Sequence, residues 1–343
     1  MSRTGDARSA GAPHGDAAPG RAERTAGATG AVPPAGTAGA RPSPGTAGLL
    51  LGLVGVAAFS LTLPMVRLAV VDLDPLWLGL ARALVAALPA AAWLAWTGAS
   101  RPPRELLPRL LIVAAGVIVG FPLFSSIAMR HVDASHGAVV LGVLPLATAL
   151  AGAWLAGERP SRAYWVCAVL GAALVCGFAL RAGGGSLQAA DGLLALAVVS
   201  AAIGYAEGAR VAQRIGGPQT ICWALVVSAP LLVLPVTWLS VRHGVDARPS
   251  AWLGFAYTVV FSQFLGFFAW YKGLAIGGIA KVSQLQLLQP FMTLGFAAIV
   301  GGEALRAETW LFGLAVVAVV AAQRMAGVRR APEPHRHGAE HNP

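Results

Sequence analysis

The sequence predicts an all-α integral membrane protein with ten transmembrane helices, arranged as two inverted five-helix repeats. Three observations carry this expectation. The 343 residues are 56% hydrophobic and only 12% charged, with a mean hydropathy of +0.67, whereas soluble domains are about 25% charged because a globule needs a polar exterior. Ten apolar stretches of spanning length follow one another with short connections. A proline thirteen residues before a glutamate recurs, within an apolar run, 145 residues further on.

The elements follow in order. Residues 1–46 are rich in Ala, Gly, Pro and Thr with scattered arginine, and read as a disordered polar tail. No apolar run precedes Leu49, and Asp6, Asp16 and Glu23 interrupt any targeting pattern. The first repeat is placed at 47–182 and the second at 190–328. The spans fall at 48–68, 76–96, 108–129, 136–156, 163–181, 191–211, 219–239, 251–271, 280–301 and 308–327. Each is near the roughly 20 residues that cross the hydrocarbon as a helix. Lipid allows little besides helix, because unpaired backbone amides are costly there. Residues 329–343, "RRAPEPHRHGAEHNP", form a second disordered tail whose His335, His337 and His341 read as solvated rather than metal-binding.

Charge sets the expected orientation. With ten spans both tails share one side, whose short loops hold Arg101, Arg104, Arg109, Arg159, Arg162, Arg210, Arg214, Lys272 and Lys281. The opposite loops hold Arg130, Arg181, Arg242, Arg248 and Arg306. The excess puts both termini in the cytoplasm, and the basic, alanine- and arginine-heavy tails suggest a bacterial plasma membrane. The same distribution explains the net charge of +10 without nucleic acid, since the basic residues lie in tails and loops. Cys167, Cys176 and Cys222 sit in apolar runs with no CxxC spacing, and read as packing residues.

The repeat is seen by aligning "HGAVVLGVLPLATALAGAWLAGE" (136–158) with "KVSQLQLLQPFMTLGFAAIVGGE" (281–303). Pro145 falls on Pro290, Glu158 on Glu303 and, beyond them, Trp165 on Trp310. Five spans per half force the halves into opposite orientations. Inverted repeats of this kind underlie many secondary transporters, whose sites lie near the midplane at Pro- or Gly-interrupted helices. In the second copy Ser283, Gln286 and Gln289 share a helical face, where the first copy has Val139, Leu141 and Leu144 at the positions of Gln284, Gln286 and Gln289. Pro290 cannot donate to its turn, so a carbonyl near residue 286 is expected free. Amides and a free carbonyl suit a water-filled cavity; the alternative is hydrogen bonding between neighbouring helices. Pro145 and Pro290 are the candidate hinges.

Four more side chains are candidates for binding a substrate. Glu207 is an acid well inside a span, where a charge is expensive unless paired or hydrated. It reads either as a partner for a substrate amine or a proton, or as a static i,i+3 pair with Arg210. Arg82, about 9 Å into its helix by rise, reads as a carboxylate or phosphate ligand, or as an anchor to headgroups. Gln263 and Tyr271 come from the eighth span, where Gln263 and Trp270 share a face; an amide with aromatic rings suits a small organic ligand, or else Trp270 and Tyr271 belong to an interfacial belt. Nothing in the chain matches a phosphate-cradling GxxxxGK[ST], a GxSxG or an HExxH, so no enzyme, no cofactor and no metal site is expected.

The doubled segments "ASHGAVVLGVLPLATALAGAWLAGERPS" and "AKVSQLQLLQPFMTLGFAAIVGGEAL" resemble the P-(x)12-E helix of EamA-type transporters, in the drug/metabolite transporter superfamily. "LGLARALVAALPA", with Arg82, resembles that family's arginine-bearing second helix, and "LPMVRLAV" the end of its first. The resemblance covers about 48–327. It implies a ten-helix carrier that moves small metabolites, such as amino acids, amines or drugs, by alternating access, often outward, with protons or another ion as coupling partner. The first helix has no acid, unlike the small multidrug-resistance branch, which argues against cation/proton exchange by that route. The rival readings are a nucleotide-sugar or phosphorylated-metabolite exchanger, which needs clustered basic residues at its site, and a membrane scaffold or sensor, which carries no flux.

Overall fold

Proline, glycine and short polar caps decide where the helices start and stop. Asp74 accepts hydrogen bonds from the backbone N–H of Leu76 and Trp77 at 3.0 and 2.9 Å, capping the helix that Pro75 opens. Gly216, at φ 86°, is the single residue between two long helices and takes a backbone shape that a Cβ would strain. In a computed structural model, residues 44–155, 159–182, 186–277, 282–325 and 328–329 are described. The two tails, Glu158 and Lys281 lie outside them, apart from residues 44–46, which were expected in the N-terminal tail and already belong to the first helix, and Arg329, which was expected in the C-terminal tail.

Eight helices among the described residues are long and apolar enough to cross a membrane. They are α1 (Gly45–Ala69), α2 (Pro75–Trp96), α3 (Arg104–Ala128), α4 (Ala134–Leu155), α5 (Trp165–Ala182), α6 (Ala189–Ile215), α7 (Gly217–His243) and α8 (Pro249–Gly273). Two apolar helices are shorter, α9 (Leu285–Gly301) and α10 (Ala307–Ala322). The fold is therefore helical as expected, with eight helices of full length rather than ten. Among the described residues the strand structure is a two-residue antiparallel pair, Arg159–Pro160 with Val328–Arg329.

Several long helices are interrupted, and the interruptions repeat. Residues Ala114–Gly120 of α3 and Thr258–Leu265 of α8 both widen into π-helix. Each widened turn closes on an i→i−5 bond, Phe121 N–H to Gly116 O and Gly266 N–H to Phe261 O. α4 turns at Gly142–Val143 just before Leu144–Pro145, and Ser283–Leu288 is a 3-10 segment just before Gln289–Pro290. The spacing between these paired defects is close to the 145 residues of the sequence repeat.

Helix neighbours follow the same exchange. α1 packs on α8 and α3 on α6; α4 packs on α6 and α9 on α1. α2 with α7, α4 with α9 and α5 with α10 are pairs that exchanging the halves leaves unchanged. Small residues permit the closest approaches. A Cβ on Gly116 would come within 2.4 Å of Ser200 O and 2.9 Å of Gly204 Cα. A Cβ on Gly273 would meet Gly52 N at 2.7 Å. The bundle buries Leu78, Leu110, Ile118, Leu194, Leu225 and Leu294 completely or nearly so, while Leu88, Leu231, Leu234 and Val241 point outward as membrane-facing side chains do.

Polar contacts tie one end of the bundle together. Left-handed Gly302 (φ 63°) ends α9 and turns Glu303 onto the start of α4, where its carboxylate accepts from Ala134 N–H at 2.8 Å and Ser135 N–H at 2.9 Å. His136 meets Asp191 at 2.6 Å, and Arg181 grips Glu308 through two hydrogen bonds. In the loops, Arg248 holds Asp72 through three contacts, and these hydrogen bonds lower the Asp72 pKa below its ordinary value.

Candidate functional site

The helix defects converge on one central cavity. Its walls come from α1 (Phe59, Thr62, Leu63), α2 (Arg82), α3 (Val117, Phe121), α4 (Ala138, Leu141, Gly142, Leu144, Pro145), α6 (Tyr205), α8 (Ser262, Gln263, Phe267) and α9 with its 3-10 lead (Gln286, Gln289, Pro290, Thr293). Both repeats contribute. Its open volume is about 40 Å³. A Cβ on Gly142 would lie 3.6 Å from Pro290 Cγ, so the broken parts of α4 and α9 touch at this point.

Local chemistry explains why polar groups gather here. Pro122 has no N–H to give the carbonyl of Ile118, one turn back. Gln263, from the π segment of α8, aims its Nε2 at that carbonyl at 3.5 Å. π segments recur at functional sites because they free backbone groups and shift side chains around the axis. Thr62 Oγ1 donates to Ser262 Oγ at 2.9 Å, tying α1 to α8. Arg82 is 1% exposed, and its Nε and Nη1 have no hydrogen-bond partner. It is the one charged side chain among the described residues that line the cavity.

The expected residues divide. Arg82, Gln263, Gln286 and Gln289 line the cavity, as do Pro145 and Pro290. The 3-10 geometry brings the two glutamines into register, because side chains three apart eclipse at three residues per turn. The free carbonyl expected near residue 286 is corrected: Gln289 N–H bonds to Gln286 O in the tightened turn. The Ser283 side chain lies outside the described residues.

Glu207 and Tyr271 stand elsewhere. Glu207 is buried, but toward α3: Oε1 accepts from Arg210 Nη1 at 2.9 Å and Oε2 lies 3.8 Å from Arg109 Nη1. Its expected place on the cavity wall is taken by Tyr205. Two residues along a helix are about 200° apart, so a choice of Glu207 selects the opposite face. Tyr271 leans on α6 and the α6–α7 turn, where a Cβ on Gly208 would meet its hydroxyl at 3.0 Å and one on Gly217 its Cβ at 2.2 Å. Its neighbour one turn back, Phe267, lines the cavity instead. The aromatic wall of Phe59, Phe121, Tyr205 and Phe267 carried no sequence signal, since aromatic residues recur throughout apolar spans. Among the described residues no group of three His, Cys, Asp or Glu side chains could hold a metal ion.

A protein of Bacillus subtilis (strain 168), named "Uncharacterized transporter YdeK", is 43% identical over 279 residues, covering 80% of this chain and 95% of that protein. A solved structure titled only "Crystal structure of protein" superimposes with a TM-score of 0.56 at 20% identity, over 81% of this chain and 96% of its own, and so shares the fold. The model of the EamA-like transporter family matches twice, at residues 46–179 and 188–322. The two matches coincide with the two halves whose helix defects and neighbours repeat, and the chain belongs to the EamA-like transporter family.

Proposed function

We propose that this chain is a secondary transporter that moves small organic metabolites, amino acids, amines or related compounds, across the plasma membrane by alternating access. In this reading α9 and α10 also cross, giving ten spans in two inverted repeats with both termini cytoplasmic. The single observation that carries it is the central cavity, walled by both repeats and bordered by the two proline-interrupted helices. Such a site can be exposed to either side by rocking one repeat against the other. Arg82, Tyr205, Gln263, Gln286 and Gln289 are the substrate-binding side chains, and Pro145 and Pro290 mark where α4 and α9 flex. At about 40 Å³ the cavity corresponds to a closed form that widens to admit its substrate. The direction implied by the family resemblance is export.

An exchanger of nucleotide sugars or phosphorylated metabolites fits less well, because among the described residues one cation lines the cavity where a phosphate dianion needs several. The test is reconstitution in liposomes loaded with amino acids, amines, organic acids or sugars. Saturable counterflow of one class, lowered by Gln289→Leu, is the expected result. Folded, monodisperse protein with no saturable flux for any class overturns transport in favour of a scaffold or sensor.

A further inference from the structure

We infer that the central cavity selects substrates carrying a single carboxylate, with Arg82 as the group that binds it, and disfavours amines. The inference rests on the transport reading for its setting and narrows its substrate class.

The argument starts from charge balance. A guanidinium stays protonated under all ordinary conditions, so Arg82 brings a full positive charge into the cavity. It is 1% exposed, Nε and Nη1 have no partner, and no carboxylate of the described residues lines the cavity. An acid within the same membrane region, Glu207, is already held by Arg210 and Arg109 on the far face of α6. A buried charge without a partner is strongly unfavourable, and what relieves it is a counter-charge that brings acceptors for the open N–H groups. The substrate is the group that reaches this place during the cycle.

The same balance sets the substrate's charge. One guanidinium matches one carboxylate, charge for charge and plane for plane. A phosphoryl dianion would leave one negative charge without compensation in a low-dielectric site. A cationic amine would meet a like charge and no acid, which disfavours it further. A zwitterionic amino acid stands between, since its ammonium would rely on the carbonyl oxygens of Gln263, Gln286 and Gln289. The rest of the wall, Phe59, Phe121, Tyr205 and Phe267, suits an aromatic or apolar body. The ranking is therefore organic monoanion first, zwitterion second, amine last.

The experiment uses full-length purified protein and four probes on one carbon skeleton: 3-phenylpropionate, phenylalanine, 3-phenylpropylamine and 3-phenylpropanol. Phenylphosphonate separates a carboxylate preference from a phosphoryl one. Binding is read as stabilisation against heat in detergent, which needs no transport. Wild type is expected to respond to the acid at the lowest concentration and least to the amine. Arg82→Gln is expected to weaken acid binding about thirty-fold or more, as loss of one partner of a buried ion pair does. Alcohol binding should stay within about two-fold, since it makes no use of the charge. Arg82→Lys, which keeps the charge, should recover part of the acid response.

A wild-type protein that binds the amine as tightly as the acid overturns the inference, and this needs no variant to fold. So does a stronger response to phenylphosphonate, unchanged acid affinity in a folded Arg82→Gln, or no response to any carboxylate probe. Acid binding with no flux in liposomes would instead overturn the transport reading and leave the carboxylate site standing. Flux of amines alone would do the reverse.

Discussion

Tyr205 and Glu207 show how much hangs on which face of a helix a residue occupies. Glu207 points away from the cavity and bonds to Arg210, with Arg109 close by. Substituting Glu207→Gln should leave two arginines without their counter-charge and lower thermal stability, by about 1–2 kcal/mol because both arginines are partly hydrated. Gln289→Leu should leave the melting temperature close to wild type and change ligand binding, because its amide faces the cavity. Heat denaturation measured beside ligand titration separates the two. A Glu207→Gln protein of unchanged stability that loses proton-driven flux would move that carboxylate from structure to coupling. Glu303 works at the same scale: it is nearly the last residue of the repeated motif, yet its carboxylate caps α4 of the other repeat. Glu303→Ala removes two charge-assisted hydrogen bonds and should destabilise by about 1–2 kcal/mol, read as a fall in melting temperature.

Among the helices, closeness depends on glycine at particular contacts and is indifferent to it elsewhere. At Gly116 the added methyl of Gly116→Ala would meet backbone atoms of α6 at 2.4 and 2.9 Å. Backbone cannot rotate away, so α3 and α6 must separate, at a cost of about 1–3 kcal/mol. Gly295 in α9 has nothing within 4 Å of an added Cβ. Gly295→Ala should therefore be neutral or stabilising by about 0.5–1 kcal/mol, through helix propensity. Thermal unfolding of the two variants side by side tests the packing; equal stability would mean that α3 and α6 are not held this close. The paired π segments and proline breaks belong to this scale too. Pro122, Pro145 and Pro290 are plain in the sequence, but a proline announces only that an N–H is missing. Which group fills the gap, Gln263 for Ile118 and Gln289 for Gln286, depends on tertiary neighbours and local winding.

For the whole molecule, the exchange of neighbours between halves argues for a pseudo-twofold relation. α1 meets α8 as α6 meets α3, while α2–α7, α4–α9 and α5–α10 pair with themselves under the exchange. In the proposed arrangement of five crossings per half, the N- and C-terminal tails would lie on the same side. Single cysteines at Ser2 and Asn342, in a background lacking Cys167, Cys176 and Cys222, should resist a membrane-impermeant thiol reagent in intact cells and react after permeabilisation. Opposite accessibility of the two tails would mean an odd number of crossings. It would remove α9 or α10 from the membrane, the two helices shorter than a full span.

The sequence by itself determined the solvent, the helical class, the repeat and its period, because each is a property of composition or spacing along one dimension. Hydropathy requires lipid, lipid requires hydrogen-bonded helix, and a motif found twice at a fixed offset requires two related halves. It also marked Arg82, Gln263, Gln286 and Gln289, since polar groups in an apolar span are rare enough to stand out. Only the tertiary structure decided which of these meet. Phe59, Tyr205 and Phe267 look like any aromatic residue of a span until α1, α6 and α8 are brought together around Arg82. Glu207 looks like a site residue until Arg109, 98 positions earlier in the chain, arrives beside it. The physical reason is that a cavity is defined by the faces that several helices turn toward one another, and those rotations are set by packing between helices rather than within one.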